Sequence, residues 1–292
     1  MIETTQLKPL NSGSLWHRWE PHIHAPGTLL NNQFKGETPW EDYIQALEQS
    51  DPPIRALAVT DYYLTDTYER VVEAKKAGRL EQIDLIFPNI ELRLDKGTNK
   101  GRWVNIHLLI RPDDDDHVAK ANRLLKALTF RAYDEVFACT PDDLTSLGKA
   151  ADPKIIDDGA ALRHGAEQFK VGFDQLREEY EKSAWARKNI LIAVAGGETD
   201  GTSGVRDGAD VTLRREMEKF ADVIFASSQA QRDFWLGRKA NISKDELVEQ
   251  YGGLKPCLHG SDAHGNGTVG LPDGKRYSWI KGGLEFDALR QA

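Results

Sequence analysis

Seven short apolar runs alternate with helical patterns along this chain, and that alternation sharply limits the folds open to it. The runs lie near residues 18–24, 56–60, 83–92, 103–111, 190–195, 222–227 and 256–261 and are rich in Val, Ile, Leu and Ala. Such runs suit strands buried on both faces. Between them, Trp40, Tyr43, Ile44 and Leu47 recur at helical spacing, as do Val118, Ala121, Leu124, Leu125 and Leu128. Further helical stretches cover about 66–79, 172–188, 209–220, 229–239 and 244–251. Strand–helix alternation implies a largely parallel sheet. Seven strands fit a distorted α/β barrel better than an open sheet. The expected organisation is a single domain over 1–292, with a helix-rich insertion at about 113–189.

The 292 residues are long for one domain but ordinary for an α/β barrel. The apolar fraction of 40%, with 7 Trp, 8 Tyr and 10 Phe, fills a sizeable core and argues against disorder. No apolar run approaches the ~18 residues of a membrane span, and no secretory leader is evident. Cys139 and Cys257 do not make a disulfide framework, so a cytoplasmic setting is expected, with both as buried small side chains. The net charge of −8 speaks against a protein that binds nucleic acid over its whole surface. Attraction for a polyanion must then be local, from metal ions or a few cations.

Histidines and acids gather where the runs end. His22 and His24 close the first, Asp61 follows Ala56–Thr60, Glu91 ends Ile-Phe-Pro-Asn-Ile, and Asp262 and His264 follow the last. Residues two apart on a strand point to one face, so each pair offers two ligands side by side. Chemistry in barrels collects at the carboxyl ends of the strands, where the loops converge. Imidazole with carboxylate suits Zn, Mn or Fe. His107, inside Val-Asn-Ile-His-Leu-Leu-Ile, reads as either a core histidine or a barrel-interior ligand. The loop 196–204 carries four glycines whose N–H groups could hold an anion, or is a plain surface loop. Asp113–Asp116 reads as a solvated turn capping the next helix. His259 reads as a supporting or ordinary strand residue, and His17, His117 and His164 have no motif context.

The ordered set His22-Ile-His24, Val59-Thr-Asp61, Pro88-Asn-Ile-Glu91, Asn105-Ile-His107 and Gly260-Ser-Asp262-Ala-His264 resembles the polymerase and histidinol phosphatase (PHP) family of metallo-phosphoesterases. That resemblance implies a distorted seven-stranded barrel. A closer similarity is to PHP modules heading bacterial proteins with SMC- or AAA-like ATPase domains, associated with phage defence. It is carried by Pro21–Thr28, Lys255–His264 and the closing Trp279-Ile-Lys-Gly and Leu289-Arg-Gln. No phosphate loop of the Gly-x-x-x-x-Gly-Lys-Ser/Thr kind is present, so an ATPase would be another domain or another chain.

The resemblance implies one complete centre of His22, His24, Glu91 and Asp262, with Glu91 bridging to a second at His107. The later His or Cys expected for that second centre is missing, with Glu198 or Asp200 as substitutes. Tyr62 stands where the family often has His, which leaves His264 with Asp61 alone. One or two divalent ions (Mn, Zn or Fe) are therefore expected rather than three. The implied reaction is phosphoester hydrolysis, with His264, Asp61 and His107 as catalytic residues. Arg206, Lys170, Arg163 and Arg276 are candidates to hold a nucleic-acid or nucleotide substrate. The alternatives are a small-molecule phosphatase, a deacylating amidohydrolase, which Asp262-x-His264 disfavours, or a degenerate sensing or scaffold module.

Overall fold

The computed structural model describes residues 15–205, 210–240 and 242–292. Its strands are β1 (Trp16–His24), β2 (Ile54–Tyr62), β3 (Leu85–Gly97), β4 (Trp103–Ile110), β5 (Thr129–Ala132), β6 (Glu135–Ala138), β7 (Ile190–Ala195), β8 (Val223–Phe225), β9 (Cys257–Leu258) and β10 (Ser278–Lys281). Eight of them form one sheet in the order β10-β1-β2-β3-β4-β7-β8-β9, while β5 and β6 form a separate hairpin. The seven apolar runs thus all become sheet strands. The eighth, β10, was not foreseen: Ser278-Trp-Ile-Lys is short, and it joins β1 as an antiparallel edge.

The sheet is more mixed than the alternation implied. β1–β2, β2–β3, β7–β8 and β8–β9 are parallel, but β3–β4 and β4–β7 are antiparallel. The cause is local. Residues 98–102 join β3 to β4 and are too few for a crossover helix, so the chain must turn back on itself. β4 therefore meets the site along its length and by its N-terminal half, which is why His107 lies inside its run rather than at the end.

The sheet curls into a distorted, nearly closed α/β barrel. Closure is made by the segment after β9, which runs beside β1: Asp262 N donates to His22 O (2.9 Å) and His24 N to Ala263 O (3.1 Å). Ser261 N donates to the Glu20 carboxylate at 2.7 Å. At Gly260 a Cβ would stand 2.6 Å from the His22 carbonyl oxygen, so any side chain there would prise the seam apart.

Helices α1 (Pro39–Glu48) and α2 (Asp66–Lys76) follow β1 and β2. Between β4 and β7 lie α3 (His117–Ala127), α4 (Pro141–Ala151), α5 (Asp158–Gln168), α6 (Phe173–Lys182) and α7 (Ala184–Asn189) with the β5–β6 hairpin. α8 (Val211–Phe220), α9 (Gln229–Trp235), α10 (Lys244–Tyr251) and α11 (Phe286–Gln291) complete the chain. No helix among the described residues is long and apolar enough to cross a membrane.

Inside the barrel, strand alternation builds a closed floor and a polar upper half. Trp19, Ala56, Ala58, Phe87, Leu109, Ala193 and Leu258 pack together, with Phe286 and Leu289 of α11 against them. Following the same faces upward, β3 passes from Leu85 and Phe87 to Asn89, Glu91 and Arg93. β4 passes from Leu109 to His107, Asn105 and Trp103. Period-two patterning thus stacks the chemistry directly on the apolar plug.

Candidate metal centre and the cavity above it

The ends of β1 and β3 and the seam after β9 bring four side chains to one point. His22 Nε2 lies 3.2 Å from Asp262 Oδ1 and 3.5 Å from Glu91 Oε2. His24 Nε2 lies 3.2 Å from the same Glu91 oxygen and 3.7 Å from Asp262 Oδ1. His264 Nε2 adds a contact of 3.4 Å to Asp262 Oδ1. His22, His24 and Glu91 form one group of possible ligands, and His24, Asp262 and His264 a second. Asp262 takes a left-handed φ of 48°, a conformation that aspartate tolerates better than most residues. It aims the carboxylate back across the seam.

What marks this cluster as a cation site is its unused lone pairs. His22 Nε2, His24 Nε2, Glu91 Oε2, His107 Nε2 and His264 Nδ1 are all buried without a hydrogen-bond partner. Buried polar atoms are normally satisfied, and the orphaned atoms of His22, His24 and Glu91, which lie together, fit a bound divalent ion.

Two of these histidines are held in the tautomer that such an ion requires. Thr28 donates its hydroxyl hydrogen to Asp61 Oδ1 (3.1 Å), so its oxygen accepts from His24 Nδ1 (3.0 Å). The His24 proton therefore sits on Nδ1, leaving Nε2 bare. Asn89 repeats the logic. Its Nδ2 donates to Pro21 O (3.1 Å) and Thr60 Oγ1 (3.0 Å), so its Oδ1 accepts from His107 Nδ1 at 3.1 Å. Asn105 Nδ2 donates to Glu91 Oε1 at 2.5 Å and leaves Oε2 to the cluster.

The charges follow from burial and proximity. Burial lowers His24 to about 4 and His107 to about 3, so both are neutral at ordinary pH. Burial pulls His22 the same way, but Asp262 and Glu91 overcome it and raise that imidazole to about 9. Burial likewise opposes ionisation of Glu91, yet the His22 imidazolium beside it holds its carboxyl well below the usual range.

Asp61 stands apart from this group. Its Oδ1 accepts hydrogen bonds from Thr28, Leu29 N (2.8 Å) and Tyr62 N (2.8 Å), and it anchors the loop after β1. His264 faces Asp262 and His24, whereas the resemblance left it with Asp61. His107 lies against His22, with ring centres 4.6 Å apart, and opposite Glu91 across the β3–β4 ladder. Tyr62 stacks on His24, with ring centres 5.0 Å apart.

Above the cluster opens a cavity of about 700 Å³. His22, Glu91, His107, Asp262 and His264 lie at its base. Of the candidate substrate cations, Lys170 spends its Nζ on the carbonyls of Glu167, Gln168 and Phe169 at the end of α5. Arg276 donates to Asp273 O and Ser227 O and lines a neighbouring cavity of about 360 Å³. Arg163 is exposed on α5, and Arg206 lies outside the described residues. Among the described residues, the cations that do line the main cavity are Arg93 and Arg102, beside Trp103. A sequence signal for them existed: Arg93 is two residues from Glu91, and Trp103 and Asn105 share the parity of His107.

The glycine loop 196–204 packs against the β3–β4 turn. Thr98 Oγ1 donates to Thr199 O (2.6 Å), Asn99 N to Gly204 O (2.7 Å) and Asn105 N to Asp200 O (2.8 Å). Gly197, Thr199 and Asp200 face the cavity, and Glu198 is not among its lining residues. Burial, and then the charges of Glu91 and Asp262, raise the Asp200 carboxyl. His259 also lines the cavity, with its Nδ1 on Ala226 O at 3.2 Å.

No protein-family model matches the chain, and no curated protein does. Among solved structures, a protein of Bifidobacterium adolescentis named "putative metal-dependent phosphoesterase" is similar at 12% identity, over 94% of this chain and 95% of that one, with a TM-score of 0.43.

Proposed function

We propose that this protein is a metal-dependent phosphoesterase acting on nucleotides or nucleic acid. The observation that carries the reading is the convergence of unpartnered His22, His24 and Glu91 atoms on the Asp262 carboxylate at the base of a cavity. The donor set of imidazole and carboxylate suits Mn, Zn or Fe. His22, His24, Glu91 and Asp262 would hold one ion, and Glu91 with His107 would hold a second. When bound, such ions supply Lewis acidity, polarising a phosphoryl oxygen and acidifying water towards a pKa of ~7.

The chain's own residues do the rest. Asn105 fixes Glu91 so that one carboxylate oxygen serves the centre. Thr28 and Asn89 fix the rings of His24 and His107. Asp262 holds His264 at 3.4 Å, where its imidazole can carry a proton to the leaving oxygen. Asp61 acts through Thr28 on His24 and touches no reacting atom, so its role is positioning. The cavity size falls within the range of small-molecule sites and favours a nucleotide or a strand end over a duplex.

The wider setting belongs to the same proposal and rests on the sequence motifs alone. It is a cytoplasmic bacterial anti-phage module working with an ATPase domain or chain. The enzymatic reading is tested by counting bound metal in the purified chain and assaying bis(p-nitrophenyl) phosphate with added Mn, Zn or Fe. One or two ions per chain and metal-dependent hydrolysis are expected. No metal uptake and no hydrolysis would falsify the proposal.

A further inference from the structure

We infer that the β3–β4 hairpin is a recognition site for a nucleotide unit next to the reacting phosphorus, with Arg93 holding a phosphate and Trp103 stacking the base. The inference rests on the phosphoesterase reading only for what lies at the base of the cavity. It begins from register. Glu91 pairs with His107, Arg93 with Asn105 and Gly97 with Trp103, so the inward face of one hairpin carries ligands, then a cation, then an aromatic ring.

Spacing follows from strand geometry. At about 3.3 Å per residue, the Arg93 rung stands roughly 7 Å above Glu91, and Trp103 stands roughly 13 Å from His107. A lone phosphate on the metal centre does not span that distance. A further nucleotide unit does, with its phosphate on the middle rung and its base at the top.

The side chains are poised for that ligand. Arg93 is half-buried, lines the cavity and has no carboxylate partner among the described residues. Its guanidinium lies over the Tyr62 ring, 5.2 Å from the centroid. A half-buried guanidinium without a counter-ion favours an anion, and its planar fork suits phosphate. Trp103 is 41% exposed although it is large and apolar, and it too lines the cavity. Lys170 Nζ lies over its ring at 5.2 Å and fixes the indole, while Arg102 adds charge at the rim. Aromatic stacking beside a backbone-tracking cation is how single-stranded nucleic acid is held without reading its sequence. The loop 196–204 secures the hairpin through its bonds to Thr98, Asn99 and Asn105, so the platform is preorganised.

The test is calorimetric titration of the full chain with metal chelated, so that nothing turns over, using AMP and ribose 5-phosphate as probes. AMP is expected to bind at least about tenfold tighter than ribose 5-phosphate, the margin stacking supplies. Trp103→Ala should erase that margin, Trp103→Phe should keep most of it, and Arg93→Gln should weaken both probes. Equal binding of the two probes, or a Trp103→Ala chain that prefers AMP as before, overturns the inference. If AMP binds through Trp103 but no phosphoester is cleaved with any metal, the phosphoesterase reading fails and the recognition site stands.

Discussion

The base and the rim of the cavity share the β3–β4 hairpin but obey opposite rules. At the base, His24, Glu91 and His107 are buried and the orientation of each is fixed by a second residue: Thr28 behind His24, Asn89 behind His107, Asn105 behind Glu91. At the rim, Arg93 and Trp103 are partly exposed and held by ring contacts rather than by ion pairs. The difference separates two tasks. A base built to bind a cation must present bare lone pairs at fixed positions, and burial makes them costly to leave unfilled. A rim that admits and releases a ligand needs surface still in contact with water.

The sharpest way to break the comparison is at Glu91, which both proposed ions would share. Glu91→Gln keeps the shape and removes the charge. Phosphoesterase activity is expected to fall by at least about a thousandfold, with metal content lowered in the same preparation. A Glu91→Gln chain that keeps both would place the chemistry elsewhere.

Thr28→Val probes the residue behind a ligand rather than the ligand itself. It is nearly isosteric but leaves the His24 Nδ1 proton unpaired, so metal affinity should drop by about 10- to 100-fold. Titration with Zn or Mn by calorimetry reads this directly. An unchanged affinity would show that His24 needs no such support.

Acidity gives a graded effect. In the metal-free protein His22 is raised to about 9, whereas His24 and His107 are already neutral, lowered to about 4 and about 3. Binding an ion must displace the His22 proton. Apparent affinity should therefore rise about tenfold per pH unit from pH 6 towards 9 and level off above it. Titrations at three pH values, with proton release measured in two buffers, decide the matter. A flat profile would mean that His22 is not a ligand.

At the rim the expected effects are smaller still and of a different kind. Arg93→Gln should raise KM for a nucleotide substrate by roughly tenfold and leave kcat within a few-fold, since a group that binds ground and transition states alike lowers KM only. A fall in kcat with KM unchanged would move Arg93 from recognition into the chemistry.

Much of the base was legible in the sequence because strand ends and period-two spacing are local properties. His22, His24, Glu91 and Asp262 were each readable as the last inward residue of an apolar run or the first residues after one. The rim was harder. Arg93 and Trp103 lie beyond the apolar runs, and only the antiparallel turn at 98–102 carries them over the cavity. Lys170 and Arg276 looked like free cations, but helix-end carbonyls and turn carbonyls occupy them, and such partners come from chain geometry that composition does not reveal. α4, α5 and the β5–β6 hairpin were not individually foreseen. α4 and α5 pack so closely that a Cβ at Gly148 would lie 1.9 Å from Ala161 O, and their glycines read as helix breakers when met alone.

By itself the sequence determined the strand–helix alternation, the apolar plug and the residues that sit on inward faces, because burial imposes a period along each strand. Only the tertiary structure decided which of those residues meet. The seam at Gly260 brings Asp262 to His22, and Asp61 turns to Thr28 rather than to His264. A lone pair becomes a ligand only when its neighbours in space have taken every hydrogen that could have satisfied it, and those neighbours come from strands far apart in the chain.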